Sequence, residues 1–310
     1  MADKNISTEN GTLYYTIKDD KVTITNYSGN DESLTIPSEI DGFMVRKIGK
    51  KAFMNTKRLK SIELPEHVRK ISDWAFAYCK MLKSISLPRR RINLGTDVFL
   101  DDIRLSEVNI YPRNNETGHK YDKMSDEEKA HLSLLLAAVP AMGDSKHLLD
   151  IKNAGSKEWY EQLDNRILKI LDEPDDKGYT DMILCGEEDI NCNLDTYIRD
   201  RRKRKVGYCF LRLMNDTHLK THVKKILDDY LISHSVGAPS MEAWLFLKDE
   251  AGQMKEYYEY YVELGCLNED NFSSTIADLG DSNPEMKAYF LRWHEDKRDD
   301  KQDFFSGFTL

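Results

Sequence analysis

At 310 residues the chain is too long for one small domain and suits two. Hydrophobic residues make up 40% and charged residues 32%, a balance that fits repeat-built shapes with more surface per residue than a sphere. A net charge of −9 and a pI near 5.5 argue against general nucleic-acid binding, and no stretch approaches the ~20 apolar residues of a membrane span.

A repeat is preceded by the lead-in "YYTIKDDKVTITNYSGNDESLTIP" (Tyr14 to Pro37). "LKSIELPEHVRKISDWAF" (Leu59 to Phe76) returns as "LKSISLPRRRINLGTDVF" (Leu82 to Phe99), 23 residues on. At that offset Leu59, Leu82 and Leu105 align, as do Ile62, Ile85 and Val108, then Leu64, Leu87 and Ile110. Phe53, Phe76 and Phe99 form another set, each preceded by a small or β-branched residue (Ala52, Ala75, Val98). The first copy carries an insertion, "IDGFM", whose Asp41-Gly42 pair signals a turn.

Self-similarity at 20 to 29 residues marks a leucine-rich-repeat solenoid. One repeat cannot bury its own apolar residues, whereas stacked repeats align them into a continuous core. Ile62 and Leu64 alternate as in a strand, Pro65 ends it for want of an amide hydrogen, and "DWAF" is expected to make a short helical turn.

"IELPEHVRKISDWAFAYC" (Ile62 to Cys79) and "VRKIGKKAF" (Val45 to Phe53) resemble the BspA-like leucine-rich repeat family of bacteria. The resemblance covers about the first 112 residues and implies that Tyr14 to Pro37 is a β-hairpin cap. Two departures stand out. His67 and Arg90 occupy the place of the usual Asn ladder, and Arg91 stands where Val45 and Val68 do. The stack, about three and a half repeats, is expected to end near Tyr111-Pro112.

The polar run "YPRNNETGHKYDK" (Tyr111 to Lys123) reads as a boundary, dividing residues 1–118 from 119–310. Beyond it the period becomes helical. "SDEE" (Ser125 to Glu128) is a capping box ahead of Leu132, Leu135, Leu136 and Val139. Further stripes are Trp159, Leu163 and Ile167, then Val223, Ile226, Leu227 and Tyr230. Asn283 caps a last helix with Pro284 at its first position. "FSSTIADLGDSNPEMKAYFLRW" (Phe272 to Trp293) resembles an ankyrin repeat, and "EAWLFLKDEAGQMKEYYEYYVELG" (Glu242 to Gly265) an earlier copy. The expected fold is therefore an α+β two-domain repeat protein: a short leucine-rich-repeat solenoid with a hairpin cap, then an all-α, ankyrin-like domain.

Catalytic motifs are missing: no glycine-rich phosphate loop, no G-x-S-x-G and no H-E-x-x-H occurs. Asp189, Asn191, Asn193 and Asp195 are spaced like calcium ligands, but Leu194 and Asp200 stand where an EF-hand needs Gly and Glu, so a polar cap for the next helix is the simpler reading. His218 and His222 have the i, i+4 spacing of zinc ligands on a helix, with Cys185, Cys192 or Cys209 as remaining candidates, none in C-x-x-C spacing. No cofactor or metal is assigned. "RDRRKRK" (Arg199 to Lys205) could meet an anionic partner, against the default of a solvated helix face.

The repeat itself carries the better clue. Positions alternating with the core face outward on each strand: Ser33 and Thr35, Ser61 and Glu63, Ser84 and Ser86, Glu107 and Asn109. They form a ladder of polar side chains of the kind solenoids use for binding. Trp74, whose equivalents are Lys51 and Asp97, is expected to be partly exposed, as an interface anchor or packed against the first copy's insertion or the helical domain. The five cysteines, an odd and sparse set, read as reduced thiols, and "MADKNISTENGTLYY" has neither the basic nor the apolar region of a secretory leader, so a cytoplasmic location is expected. The function expected is that of a non-catalytic bacterial protein–protein interaction or scaffold protein. The alternatives are a metal-dependent or small-molecule enzyme sited in the helical half, or a surface adhesin.

Overall fold

The computed structural model describes residues 4–100, 104–111, 124–143, 145–149, 151–180, 193–252 and 254–306. The described chain opens with three antiparallel strands, β1 (Lys4–Ser7), β2 (Gly11–Lys18) and β3 (Lys21–Gly29), of which β2 and β3 form a hairpin. Asp19 and Asp20, at φ 51° and 55°, make the two-residue turn whose left-handed backbone matches the strand twist. This is the expected cap. Its strand β3 pairs parallel with β6 (Phe43–Ile48), which pairs with β8 (Lys70–Ile71) and then β10 (Asn93–Leu94). The other wall is a parallel sheet ordered β11 (Glu107–Tyr111), β9 (Ser84–Pro88), β7 (Ser61–Glu63), β4 (Ser33–Thr35). Two-residue β5 (Glu39–Ile40), in the first copy's insertion, pairs antiparallel with β6.

The chain thus winds as a solenoid of about four turns, with Leu59, Leu64, Val68, Ile71, Ala75, Leu82 and Ile85 fully buried inside. Tyr27, Phe53, Phe76 and Phe99 stack in a file, their ring centroids 5.6, 5.2 and 5.7 Å apart. Cys79 is buried beside them, its thiol donating to the Phe53 carbonyl at 3.0 Å.

The "DWAF" segment is not helical. It is a run of four-residue turns (Ala75 N to Ser72 O at 3.2 Å, Cys79 N to Phe76 O at 3.2 Å). Its other amides bond sideways to the next copy, Trp74 N to Thr96 O and Phe76 N to Val98 O, so lateral pairing takes the donors a helix would have used. Lys51, Trp74 and Asp97 hold one corner at φ 59°, 57° and 49°. At the degenerate third corner Arg91 is exposed, and its neighbour Ile92 turns inward to fill the place of Val45 and Val68.

The remaining described residues hold eight α-helices. The sequence boundary at residues 118 and 119 lies outside the described residues. The chain packs as two units, one of Met1–Ile170 with Thr217–Leu219, the other of Leu171–Asp216 with Lys220–Leu310. Helix α1 (Asp126–Ala138) begins with the expected capping box, Ser125 and Glu128 each bonding the other's amide, and packs against β11, the last strand. Helix α2 (Lys157–Asp172) buries Trp159, Tyr160, Leu163 and Ile167, and the Trp159 indole donates to the Leu148 carbonyl at 2.7 Å.

In the second unit, α3 (Leu194–Met214) is capped by Asn193, whose carboxamide accepts from Thr196 N at 2.8 Å. In α4 (Thr221–Ser233) the buried stripe is Val223, Leu227 and Leu231; Ile226, which the sequence placed in it, is 44% exposed. Residues at i, i+4 and i+8 hold one helical face, and Ile226 lies outside that series. Two helix pairs follow. Helix α5 (Glu242–Phe246) continues as a π-turn (Leu247–Ala251) before α6 (Lys255–Glu263); α7 (Glu269–Leu279) precedes α8 (Pro284–Ser306). Asn283 caps α8 as expected and its amide also donates to the Gly252 carbonyl at 2.8 Å.

Candidate interaction surface

The four parallel strands β4, β7, β9 and β11 turn one face to the core and the other outward, as strand alternation requires. Register brings the outward residues into rows. Ser33, Ser61, Ser84 and Glu107 form one row, and Thr35, Glu63, Ser86 and Asn109 a second. Glu63, Glu107 and Asn109 are exposed, while Ser61, Ser84 and Ser86, small and flanked on both sides, are half-buried. Ser61 donates to Ser33 at 2.8 Å, and Lys60 pairs with Glu32 at 2.7 Å beside the row. Ser133 of α1 reaches Asn109 at 3.4 Å, so the ladder ends against that helix.

A third row was not read from the sequence. Pro65, Pro88 and Tyr111 follow at the same 23-residue offset, and Tyr111 stands opposite Pro88 in the pairing of β11 with β9. The Tyr111 hydroxyl donates to the Leu64 carbonyl two strands away. Burial, then the Glu63 and Glu66 carboxylates, push its phenol up, so the side chain stays a neutral donor. The signal was present in the alignment, an aromatic residue where two prolines precede it.

Trp74 does not join this surface. It lies on the turn after β8, half-exposed, with its indole donating to Asp97 at 3.3 Å and the Lys51 ammonium 4.6 Å from the ring. Of the residues singled out, Ser61, Glu63, Ser84, Ser86, Glu107 and Asn109 share one face, and Trp74 stands apart on the turn that follows β8.

The basic run on α3 is largely consumed within its own unit. Arg201 pairs with Glu173 at 2.7 Å, Arg202 with Asp175 at 2.7 Å, and Lys203 with Asp249 and Glu250 at 3.1 and 2.9 Å. Lys205, 3% exposed, donates to Asp175 and to the Glu173 carbonyl, both at 2.6 Å. Burial raises the Asp175 carboxyl, but the bonds from Lys205 and Arg202 outweigh it and hold it below its ordinary value. Of the run's cations Arg199 and Arg204 are exposed, too few for a basic face on this helix.

The two histidines do not share a helix face either. His218 sits before α4 in a turn at φ 57°, its ring edge-on to Tyr160 at 5.5 Å, while His222 is exposed in the first turn of α4. Left-handed backbone at His218 ends any helix there, which breaks the i, i+4 geometry. Cys185, Cys192, Asp189 and Asn191 lie outside the described residues. Among the described residues no three His, Cys, Asp or Glu side chains group to hold a metal ion. Burial pushes the Cys266 thiol up to about 12 and raises that of Cys209, so neither is a ready nucleophile.

Comparison with known proteins places the repeat. Residues 24–121 match the model of the BspA type leucine rich repeat region, in six copies. A leucine rich repeat protein of T. pallidum is similar at 29% identity over 36% of this chain and 51% of that one, with a TM-score of 0.32. A leucine rich cell surface protein from Faecalibacterium prausnitzii A2-165 is similar at 23% identity, over 36% of this chain and 31% of that one (TM-score 0.28). A leucine-rich repeat protein from Bacteroides capillosus ATCC 29799 matches at 20% identity, over 34% of this chain and 98% of that one (TM-score 0.26). The chain spans about half the length of the T. pallidum protein, 51%. No curated protein matches the chain.

Proposed function

We propose that this chain is a non-catalytic interaction protein of bacterial type, binding a protein partner through the outward face of β4, β7, β9 and β11. The observation that carries this reading is the register itself. Side chains from four strands stand in rows on an accessible sheet, small in the middle (Ser61, Ser84, Ser86) and acidic or amide at the border (Glu63, Glu107, Asn109). A partner backbone can approach such a centre closely, and border groups can set its orientation. The BspA-type match supports an interaction role for residues 24–121.

The helix pairs α5–α6 and α7–α8 are proposed to be an ankyrin-like addition to the scaffold. A cytoplasmic location is proposed from the sparse cysteines, of which Cys79, Cys209 and Cys266 are buried thiols; fractionation of host cells separates this from a surface location.

The test compares the intact chain with its Ser61→Arg/Ser86→Arg variant as baits in host lysate. A partner held by the first and lost by the second, with circular dichroism unchanged, supports the face as the site. A partner held equally by both moves the site elsewhere and overturns this assignment.

A further inference from the structure

Among the described residues, the solenoid's other sheet carries a group of cations that form no ion pair. Arg46 and Lys47 lie on β6, Arg69 and Lys70 on β8, and Lys47 stands in register with Lys70. The Arg69 amide donates to the Arg46 carbonyl at 2.9 Å, so the two arginines also lie side by side. Adjacent strands are ~4.8 Å apart, and like charges at that spacing repel and destabilise a sheet. Lys50 and Lys51 extend the row on the next turn, their ammonium groups 5.9 and 4.6 Å from the Trp74 ring centroid. Lys50, Lys51, Arg69 and Lys70 are exposed, and Arg46 and Lys47 partly so.

Among the described residues none of these six cations forms an ion pair; the solenoid's pairs, such as Lys4–Asp41 and Lys60–Glu32, lie elsewhere. Two carboxylates on the neighbouring turns accept hydrogen bonds from neutral donors and form no ion pair with these cations: Asp73 from Thr96 N at 2.8 Å and Asp97 from the Trp74 indole at 3.3 Å. The charge is also unevenly spread along the chain. Residues 1–111 hold 18 Lys and Arg against 15 Asp and Glu, whereas residues 112–310 hold 27 against 39. Within residues 42–72 there are nine cations and two carboxylates.

We propose that this face of β6 and β8, with Lys50, Lys51 and Trp74, docks an acidic polypeptide segment of a partner protein. Charge complementarity selects an anion, and the size of the patch selects a short one. Two adjacent strands and the turns that follow them span only ~10–15 Å. A nucleic-acid duplex or an anionic membrane extends well beyond that, and the chain's net charge of −9 disfavours both. A carboxylate-bearing segment laid along the row would relieve the Lys47–Lys70 repulsion, and the Trp74 ring offers its side chains an apolar wall. This site is separate from the serine ladder and does not depend on it.

The experiment is fluorescence anisotropy of a labelled peptide of about ten alternating Asp and Glu residues, titrated with the full chain at ~50 mM NaCl, where screening is weak. The proposal expects saturable binding that weakens about tenfold in Lys47→Gln/Lys70→Gln, roughly 1.4 kcal/mol. Lys57→Gln/Lys83→Gln, which removes the same charge from exposed positions elsewhere on the solenoid, is expected to change it less than about threefold. Equal losses in the two variants, or no saturable binding by the wild type, would overturn the site. Tighter binding of a labelled oligonucleotide or of phosphatidylserine vesicles than of the peptide would overturn the occupant. Thermal unfolding of Lys70→Gln reads the repulsion directly: a melting temperature at or above wild type supports the proposal, and a fall counts against it.

Discussion

Asp31 shows how one side chain ties the cap to the solenoid. It is 2% exposed and accepts hydrogen bonds from the Asn10 amide and the Tyr27 hydroxyl, both at 2.8 Å, and from the Thr8 hydroxyl. Burial pushes its carboxyl up, yet these three donors push it further down, so its folded value lies below the usual carboxylate range. A depressed folded pKa contributes stability that is fully present above the unfolded value, about pH 4, and is lost as the pH falls through the folded value. Asp31→Asn is expected to cost about 1.5–3 kcal/mol near neutrality, the worth of bonds to a charged acceptor. Urea melts at pH 7, 5 and 3 should show the gap to wild type closing on acidification. None of this was legible in the sequence. Asp31 falls outside the 23-residue repeat, and its donors Thr8 and Asn10 lie on the far side of a hairpin.

At the scale of elements, the aromatic file explains why the turns stack in one register. Each ring from Tyr27 to Phe99 covers its neighbour, and Phe76, fully buried, is covered on both sides. Phe76→Ala is expected to cost about 3–5 kcal/mol and to unfold the solenoid cooperatively in urea, because the cavity opens between two copies and cannot collapse locally. Phe76→Leu should cost clearly less. The phenylalanines were plain in the repeat, but the file's first member was not: Tyr27 sits in the cap, which has no 23-residue partner. Likewise the segment after Ile71 reads as helical from its Ala and Phe. Lateral bonds to the next copy, which no local pattern encodes, make it a string of turns.

For the molecule as a whole the governing quantity is the distribution of charge. Near the pI of about 5.5 the net charge vanishes, while the cations of β6 and β8 and the acidic remainder keep opposite signs. Self-association measured by light scattering is therefore expected to peak near that pH at low ionic strength, and to be reversed by about 0.5 M NaCl, where the Debye length falls to a few ångströms. Scattering that ignores salt would point instead to apolar association.

By itself the sequence determined the period, the core positions, the hairpin cap, the helix caps at Ser125 and Asn283, and the outward ladder. Each is a local or strictly periodic property, and alternation and capping act within a few residues. Only the tertiary structure decided that Tyr111 bridges to Leu64, that the basic run of α3 is spent on Glu173, Asp175, Asp249 and Glu250, and that Lys47 stands in register with Lys70 on the adjacent strand. Those outcomes depend on which distant groups the folded chain sets within about 4 Å of one another, the reach at which charges and hydrogen bonds act strongly. A linear pattern specifies the residues but not that proximity.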